Sequence, residues 1–175
     1  KPELICGIVR EAAKFGVNKV KFSGGEPLFR KDFEEILTCL PPLKEISATT
    51  NGILLEKRAK TLKAAGLDRV NISLDSLIPE KYEAITGARP GTLEKVIKGI
   101  DSAVEAGLTP VKLNMVLLKG INDNEIDSMI EFVRSYKGKV ILQLIELMNI
   151  DPNLSKYMID SRSLEKSLAQ RASEI

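Results

Sequence analysis

The segment best suited to chemistry runs from Ser23 to Pro27, directly after a predicted strand. The paired glycines Gly24 and Gly25 let backbone amides and carbonyls approach a ligand closely, because neither residue carries a Cβ atom. Glu26 offers a carboxylate that can accept from an ammonium group, and Pro27 stiffens the turn. A tight strand-to-helix turn without a ligand explains the same residues equally well. The segment is not a phosphate-binding P-loop, because no Gly-Lys-Ser or Gly-Lys-Thr follows it.

Polar residues also mark the ends or faces of other predicted strands. Thr49 to Gly52 and Ser73 to Ser76 each supply hydroxyl groups together with an amide or a carboxylate. Turn chemistry and helix capping explain either segment taken alone. Lys112 and Asn114 are two residues apart, so they point to one face of a strand. Inside a barrel they would need a ligand or a partner to offset their desolvation, whereas a solvated edge strand would need neither.

The composition excludes several classes of mechanism. The chain has 175 residues and no histidine, which removes serine–histidine, cysteine–histidine and zinc–histidine chemistry. Its two cysteines, Cys6 and Cys39, lack close spacing, and the chain shows no secretory signal or long apolar run. We therefore expect neither a disulfide scaffold nor a membrane span, but a cytoplasmic protein. With 26 basic and 24 acidic side chains, the net charge of +2 does not favour nucleic-acid or membrane binding, although a local basic pocket for a small anion is compatible with it.

Periodic apolar residues predict helices that alternate with five strands. The predicted helices cover residues 2–15, 32–40, 56–65, 80–86, 92–106 and 124–136. The predicted strands cover residues 18–22, 45–49, 69–74, 110–118 and 139–147. Their apolar character is typical of a parallel sheet that is covered by helices and joined by right-handed crossovers. The predicted fold class is therefore α/β.

The predicted elements do not complete a barrel. Similar helix-ending phrases before three of the strands favour a (β/α) barrel, although a Rossmann-type sheet has similar phrases. Five strands cannot close an eight-stranded barrel of about 250 residues, so we expect a partial barrel. Residues 1–150 are predicted to form this barrel core, at whose end Glu146 is polar and Met148 is expected to contribute ordinary packing. Apolar density falls from Asp151, so residues 151–175 are predicted to begin a C-terminal region or tail with a helix from Ser163.

Four motifs in chain order resemble the GTP 3',8-cyclase family of radical S-adenosylmethionine (SAM) enzymes. They are Lys21-Phe22-Ser23-Gly24-Gly25-Glu26-Pro27-Leu28, Thr49-Thr50-Asn51-Gly52, Val70-Asn71-Ile72-Ser73-Leu74-Asp75-Ser76 and Lys119-Gly120-Ile121-Asn122-Asp123. The Gly-Gly-Glu-Pro loop is shared across radical SAM enzymes, whereas Ile85-Thr86-Gly87 and the strands that contain Lys112 and precede Met148 point to this family. The resemblance spans about residues 1–150. It implies a partial (β/α) barrel of the radical SAM type with a mostly parallel sheet, whose first strand and C-terminal part are missing from the chain.

The resemblance also implies two ligand sites. For SAM it implies Gly24, Gly25, Glu26, Ser73 and Met148, with the methionine amino group beside the glycine loop. For the substrate GTP it implies Lys21, Thr49 and Lys112. Lys21 stands where the family usually has arginine. A lysine retains positive charge for the triphosphate but loses the bidentate geometry of a guanidinium.

The implied reaction is reductive cleavage of SAM at a [4Fe–4S] cluster, followed by hydrogen abstraction from the GTP ribose and ring closure. Its product is (8S)-3',8-cyclo-7,8-dihydroguanosine 5'-triphosphate, a precursor in molybdenum cofactor biosynthesis. The implied partners are GTP and a reductant for the cluster, and a homodimer is compatible with the family. The sequence assigns no catalytic side chain and no metal ligand within this chain.

The chain departs from the family at its cysteines. The family's Cys-x3-Cys-x2-Cys loop and its C-terminal cysteine set are absent, and Cys6 and Cys39 match neither. Because an iron–sulfur cluster needs cysteine thiolates at suitable spacing, this polypeptide alone is predicted to be inactive, as a fragment of a longer enzyme. The alternatives are another radical SAM enzyme of a heme pathway or of peptide maturation, a non-catalytic α/β nucleotide-binding module, and a structural α/β domain.

Overall fold

The predicted alternation of helices and strands is present in the computed structural model, which describes residues 1–148 and 151–173. The strands are β1 Lys19–Phe22, β2 Glu45–Thr50, β3 Arg69–Ser73, β4 Val111–Leu117 and β5 Val140–Glu146. The α-helices of the described residues are α1 Pro2–Lys14, α2 Phe33–Cys39, α3 Leu55–Ala64, α4 Pro79–Thr86, α5 Thr92–Glu105, α6 Ile126–Ser135 and α7 Ser161–Ser173. These bounds lie within about two residues of the predicted ones. Short 3₁₀ turns at Pro27–Phe29, Asp123–Glu125 and Pro152–Tyr157 were not predicted.

The five strands form one parallel sheet in the order β1-β2-β3-β4-β5. Each strand therefore pairs with the next one along the chain, and the connections between consecutive strands contain helices. The predicted α/β class and the partial barrel are confirmed. Because all strands run the same way, the loops that follow them share one edge of the sheet, which is where ligands bind in such folds.

One face of the sheet packs against the helices, and we call it the apolar face. Its central side chains, Ala48, Ile72, Leu113 and Met115, are fully buried. Burying a leucine, isoleucine or methionine side chain of this kind stabilises the folded state by about 1.5 to 3 kcal/mol. This face therefore supplies much of the free energy that holds the sheet to its helices.

A close glycine contact fixes the loop that follows β2. Gly52 has a φ angle of +82°, a left-handed conformation that favours glycine. A Cβ atom placed on Gly99 of α5 would overlap the carbonyl oxygen of Gly52. Helix α5 and this loop can approach only because both positions lack a side chain.

The two cysteines lie together, although they are 33 residues apart in sequence. A disulfide joins Cys6 of α1 to Cys39 of α2, with a Cα–Cα distance of 5.9 Å, and Cys6 is buried. No disulfide scaffold is expected from the sequence, and the pairing of these two residues was not predicted. Their proximity arises from the packing of α1 against α2, which sequence spacing alone does not reveal.

The described part of the C-terminal segment contacts the barrel core. The backbone N–H of Lys119 donates to the carbonyl of Tyr157 at 2.8 Å, and Ile159, Leu164 and Leu168 pack against the core. A groove of about 440 Å³ lies between this segment and the ends of β4 and β5. No helix among the described residues is long and apolar enough to cross a membrane.

Candidate functional site

The face of the sheet opposite the helices is rich in polar side chains, and we call it the polar face. Strand alternation and the register of the five strands place on it Lys19, Lys21, Glu45, Ser47, Thr49, Arg69, Asn71, Ser73, Lys112, Asn114 and Gln143. A parallel sheet of an α/β protein is normally covered on both faces. A polar face on such a sheet is therefore suited to binding a polar ligand.

Residues in register on neighbouring strands form rungs across the sheet. Two neighbouring rungs of the polar face carry several of the predicted site residues. Thr49 of β2, Asn71 of β3 and Lys112 of β4 form one rung. Ser73 and Asn114 form the next rung towards the carboxyl edge. Neighbouring strands are about 4.8 Å apart, so Thr49 and Lys112 lie two strand spacings from each other.

Two further predicted site residues, Lys21 and Met148, lie outside these rungs. Lys21 of β1 is in register with Ser47, which is two residues before Thr49 on β2. Met148 follows the end of β5 and is 72% exposed. The expectation that Met148 contributes ordinary packing is therefore wrong, since most of its surface faces solvent.

The glycine loop follows β1 at the carboxyl edge. Gly24 has a φ angle of +139°, which strains any residue with a side chain. A Cβ atom on Gly25 would meet no atom within 4 Å, so the space beside this residue is open. The loop thus exposes backbone groups at the position where the sequence predicts the SAM methionine.

Glu26 ties the glycine loop to the end of β2. Its carboxylate accepts from the backbone N–H of Leu28 at 3.0 Å, from the hydroxyl of Thr50 at 2.7 Å and from the backbone N–H of Asn51 at 2.7 Å. A carboxylate has about four acceptor sites, so these three bonds leave about one for an external ammonium group. The sequence analysis predicted the ammonium contact but missed this internal role.

Arg58 of α3 anchors the chain just after the glycine loop. Its guanidinium donates to the carbonyl oxygens of Leu28 and Arg30 and forms an ion pair with Glu34 of α2. Burial alone would raise the pKa of Glu34, but the hydrogen bonds and the positive charge that Arg58 supplies, together with hydrogen bonds from the backbone of Glu34 and from Thr61, lower it below its ordinary value. These contacts hold the 3₁₀ turn against two helices, and no sequence motif indicates them.

The end of β3 is joined to β4 by one half-buried side chain, Asp75, and one fully buried side chain, Asn122. Asp75 accepts from the backbone N–H of Val116 at 2.8 Å and so continues the hydrogen-bond ladder beyond the last residue of β3. Burial raises the pKa of Asp75 above its ordinary value. The fully buried Asn122 donates to the carbonyls of Asp75 and Val116 at 2.8 and 2.9 Å, and accepts from the N–H of Leu118 at 2.8 Å.

A second carboxylate, which is buried, supports the same loop. Glu125 is 4% exposed and accepts from the hydroxyl of Ser76 at 2.8 Å and from the backbone N–H of Leu77 at 3.1 Å. Lys81 of α4 forms an ion pair with it at 3.0 Å. The segment after Ser73 is therefore held by groups from β4, α4 and the turn before α6, which sequence reasoning missed because they are distant along the chain.

Asn114 has an acceptor that lacks a partner within the described residues. Its Oδ1 atom is buried and accepts no hydrogen bond there. Buried polar atoms of native proteins are nearly always paired, so an orphaned acceptor indicates that a donor from a ligand or from another part of the protein completes it. This observation supports the predicted ligand-facing position of Lys112 and Asn114.

The start of β3 carries an ion pair that the sequence analysis did not identify. The guanidinium of Arg69 donates to Glu45 Oε1 and to Asn71 Oδ1, both at 2.8 Å. The hydrogen bond from Arg69 lowers the pKa of Glu45 below its ordinary value. The positive charges of Lys19 and Lys112 lower it further. Strand register together with residue alternation is the signal that could have revealed this pair.

Comparison with known proteins identifies the family. The radical SAM superfamily matches residues 1–133, which is most of the chain. The chain belongs to the radical SAM superfamily. This confirms the superfamily and the fold that the sequence motifs implied.

Curated proteins of similar sequence share one name. A Methanosarcina acetivorans protein named "Probable GTP 3',8-cyclase" is 88% identical over 174 residues, which are 99% of this chain and 52% of that protein. An Archaeoglobus fulgidus protein of the same name is 50% identical over 175 residues, covering 98% of this chain and 58% of that protein. The chain spans about half the length of the curated relatives it matches.

Solved structures of radical SAM proteins share the fold. The [FeFe]-hydrogenase maturase HydG matches with a TM-score of 0.69 and 15% identity, over 95% of this chain and 40% of that chain. Coproporphyrinogen III oxidase (HemN) from Escherichia coli matches with a TM-score of 0.65 and 16% identity, over 97% and 44% of the two chains. At these identities the likeness concerns the fold alone.

The two family cofactors fit this chain differently. Radical SAM enzymes hold a [4Fe–4S] cluster through cysteine thiolates, but Cys6 and Cys39 are bonded to each other and match no cluster motif. The described residues also contain no group of three or more histidine, cysteine, aspartate or glutamate residues suited to a metal ion. The chain's own residues therefore do not fit the cluster. They do fit SAM, because the open glycine loop and the orphaned acceptor of Asn114 lie towards the carboxyl edge.

Proposed function

We propose that the complete protein containing this chain is a radical SAM GTP 3',8-cyclase that acts in molybdenum cofactor biosynthesis. The observation that supports this most is the 88% identity, over nearly the whole chain, to a protein named "Probable GTP 3',8-cyclase". The polar face adds physical support, because it combines cations for a triphosphate with hydroxyl and amide groups for sugars.

The SAM site proposed here uses the glycine loop and the rung nearest the carboxyl edge. The residues are Gly24, Gly25, Glu26, Ser73 and Met148, with Asn114 beside Ser73. Glu26 holds the loop rigid and retains about one acceptor site for the amino group of SAM. Asn114 Oδ1 and the Ser73 hydroxyl suit donors such as ribose hydroxyls.

The GTP site proposed here uses Lys21, Thr49 and Lys112. The two ammonium groups pair with phosphate oxygens as point charges, and the Thr49 hydroxyl adds a neutral hydrogen bond. SAM held at the glycine loop would supply the radical chemistry for hydrogen abstraction from the GTP ribose, with the electron coming from a cluster that no residue of this chain holds. The residues of this chain bind and orient the two ligands so that the reacting atoms are held in place.

The complete enzyme is proposed to be cytoplasmic and to form a homodimer. GTP and a low-potential reductant are cytoplasmic molecules, which supports a cytoplasmic location. We propose no nucleic-acid or membrane partner, since the net charge of +2 favours neither. A homodimer of the complete protein is proposed as well, and its mass in solution by light scattering tests it.

The activity is tested on the complete gene product, reconstituted with iron and sulfide under anaerobic conditions. With GTP, SAM and a reductant, we expect mass spectrometry to detect 5'-deoxyadenosine together with a cyclised nucleotide that retains the triphosphate. SAM cleavage that GTP does not affect would instead favour another radical SAM reaction. Binding of SAM without any cleavage by a fully loaded protein would favour a non-catalytic binding module.

The Gly25→Ala variant tests the SAM site within that experiment. The added methyl group meets no protein atom within 4 Å, so folding should be preserved. We expect weaker SAM binding, because the methyl group enters the open space beside the loop. Ser73→Ala should likewise lower SAM affinity through the lost hydroxyl group. Unchanged SAM affinity in both variants would show that the placement is wrong.

A further inference from the structure

The polar face carries an excess of positive charge around one carboxylate. Its cationic side chains are Lys19, Lys21, Arg69 and Lys112, whereas Glu45 is the only acidic residue among its described strand positions. These five side chains sum to a net charge of +3. The predicted GTP site lies on the same face.

Glu45 lies at the amino end of this charge cluster, as the first residue of β2. It is in register with Lys19 on β1, and its carboxylate accepts from Arg69 on β3 at 2.8 Å. The side chains of Glu45 and Arg69 are 25% and 14% exposed, so water screens them only in part. Lys112 also acts electrostatically on Glu45, although it lies two strands away on β4.

We propose that Glu45 is a specificity-determining residue that limits how tightly the polar face holds a triphosphate. Its negative charge offsets part of the positive charge of Arg69, Lys19 and Lys112. This inference rests on the proposed function, in which substrate and product carry the same triphosphate. A cluster without Glu45 would bind both more tightly, and such uniform binding slows product release without accelerating the chemistry.

The pair of Glu45 and Arg69 could serve only the fold, or its carboxylate could set the charge that the nucleotide meets, and the two roles predict different effects of mutation. Breaking a structural bridge from either side disturbs the same contact, so both variants would weaken nucleotide binding. If charge is decisive, removing the carboxylate and removing the guanidinium have opposite effects. The two partners of one ion pair therefore distinguish the two roles.

The test uses the complete, reconstituted protein and calorimetric titration with GTP, GDP and guanosine in the presence of SAM. We expect Glu45→Gln to bind GTP about threefold to tenfold more tightly, because the amide retains an acceptor for Arg69 but carries no charge. Arg69→Gln should bind GTP more weakly by a similar factor. The effects should shrink for GDP and vanish for guanosine, since Coulomb energy scales with ligand charge.

Glu11→Gln is the matched control, because it removes the same charge from an exposed ion pair with Lys14 on α1. At physiological salt its effect on GTP binding should be negligible, because exposed charges distant from the site are screened. Glu45→Asp keeps the charge and should retain the wild-type salt dependence of GTP binding. Glu45→Gln should make that salt dependence steeper.

The outcomes separate the two proposals. If the wild-type protein does not bind GTP, the proposed function fails and this inference fails with it. If the wild type binds GTP but Glu45→Gln and Arg69→Gln both weaken binding, the inference alone is wrong and the pair is structural. Tighter binding by Glu45→Gln and weaker binding by Arg69→Gln support it, as does a salt dependence that Glu45→Gln makes steeper and that Glu45→Asp and Glu11→Gln leave unchanged.

Discussion

The two faces of the sheet carry chemically different side chains, although the residues of both faces alternate along the same strands. On β4, Leu113 is fully buried against the helices, whereas its neighbours Lys112 and Asn114 point to the polar face. The apolar face contributes hydrophobic stabilisation, and the polar face contributes groups for ligands. Stability and binding are therefore separated by a single residue step along one strand. Three consecutive residues provide a direct way to test this separation.

The largest effect is expected for Leu113→Ala on the apolar face. Truncating a fully buried leucine removes transfer free energy and leaves a cavity, so the free energy of unfolding should fall by about 2 to 5 kcal/mol. Thermal or chemical denaturation of the complete protein measures it. Leu113→Met is the volume-conserving control and should cost less than about 1.5 kcal/mol. A loss as small as that of the control would mean that this face is less important for stability than its burial indicates.

An intermediate effect, of a different kind, is expected for Lys112→Ala on the polar face. Losing one cation that pairs with phosphate should weaken GTP binding by about 1.5 to 3 kcal/mol, with a smaller effect on SAM binding. The denaturation midpoint should change little, because the residue packs against no helix of the apolar face. Titration with each ligand separates the two affinities. Unchanged GTP affinity would count against the proposed GTP site.

The strands, and the shared face of Lys112 and Asn114 on β4, were predicted from the sequence because both follow from local periodicity, whereas the polar face of the whole sheet was not predicted. The alternation around Lys112 and Asn114 needed no knowledge of distant residues. The contacts of Glu26 with Thr50 and Asn51, and of Glu45 with Arg69, join residues more than twenty positions apart. Such contacts depend on strand order and register, which periodicity does not supply. For the same reason, the sequence named the motif containing Asn122 by resemblance but did not reveal what that side chain does.

The smallest effect on stability is expected for Asn114→Leu, and its sign is informative. An unpaired buried acceptor destabilises the unliganded fold by about 1 to 3 kcal/mol, whereas an apolar group of similar shape does not. The variant should therefore be as stable as the wild type or slightly more stable without ligand. Its SAM affinity should be lower, because the acceptor for a ligand donor is gone. A less stable variant with normal SAM binding would show that Asn114 serves the fold rather than a ligand.

The small number of cysteines in this chain affects how the iron content of the complete protein is interpreted. Cys6 and Cys39 are the two cysteines of the chain, which are fewer than the cysteine ligands that a [4Fe–4S] cluster needs, and Cys6 is buried where α1 packs against α2. Elemental analysis of the complete protein then has a simple meaning. A [4Fe–4S] cluster found in it would have to use cysteines outside these 175 residues, so the ratio of iron to polypeptide reports on the rest of the complete protein.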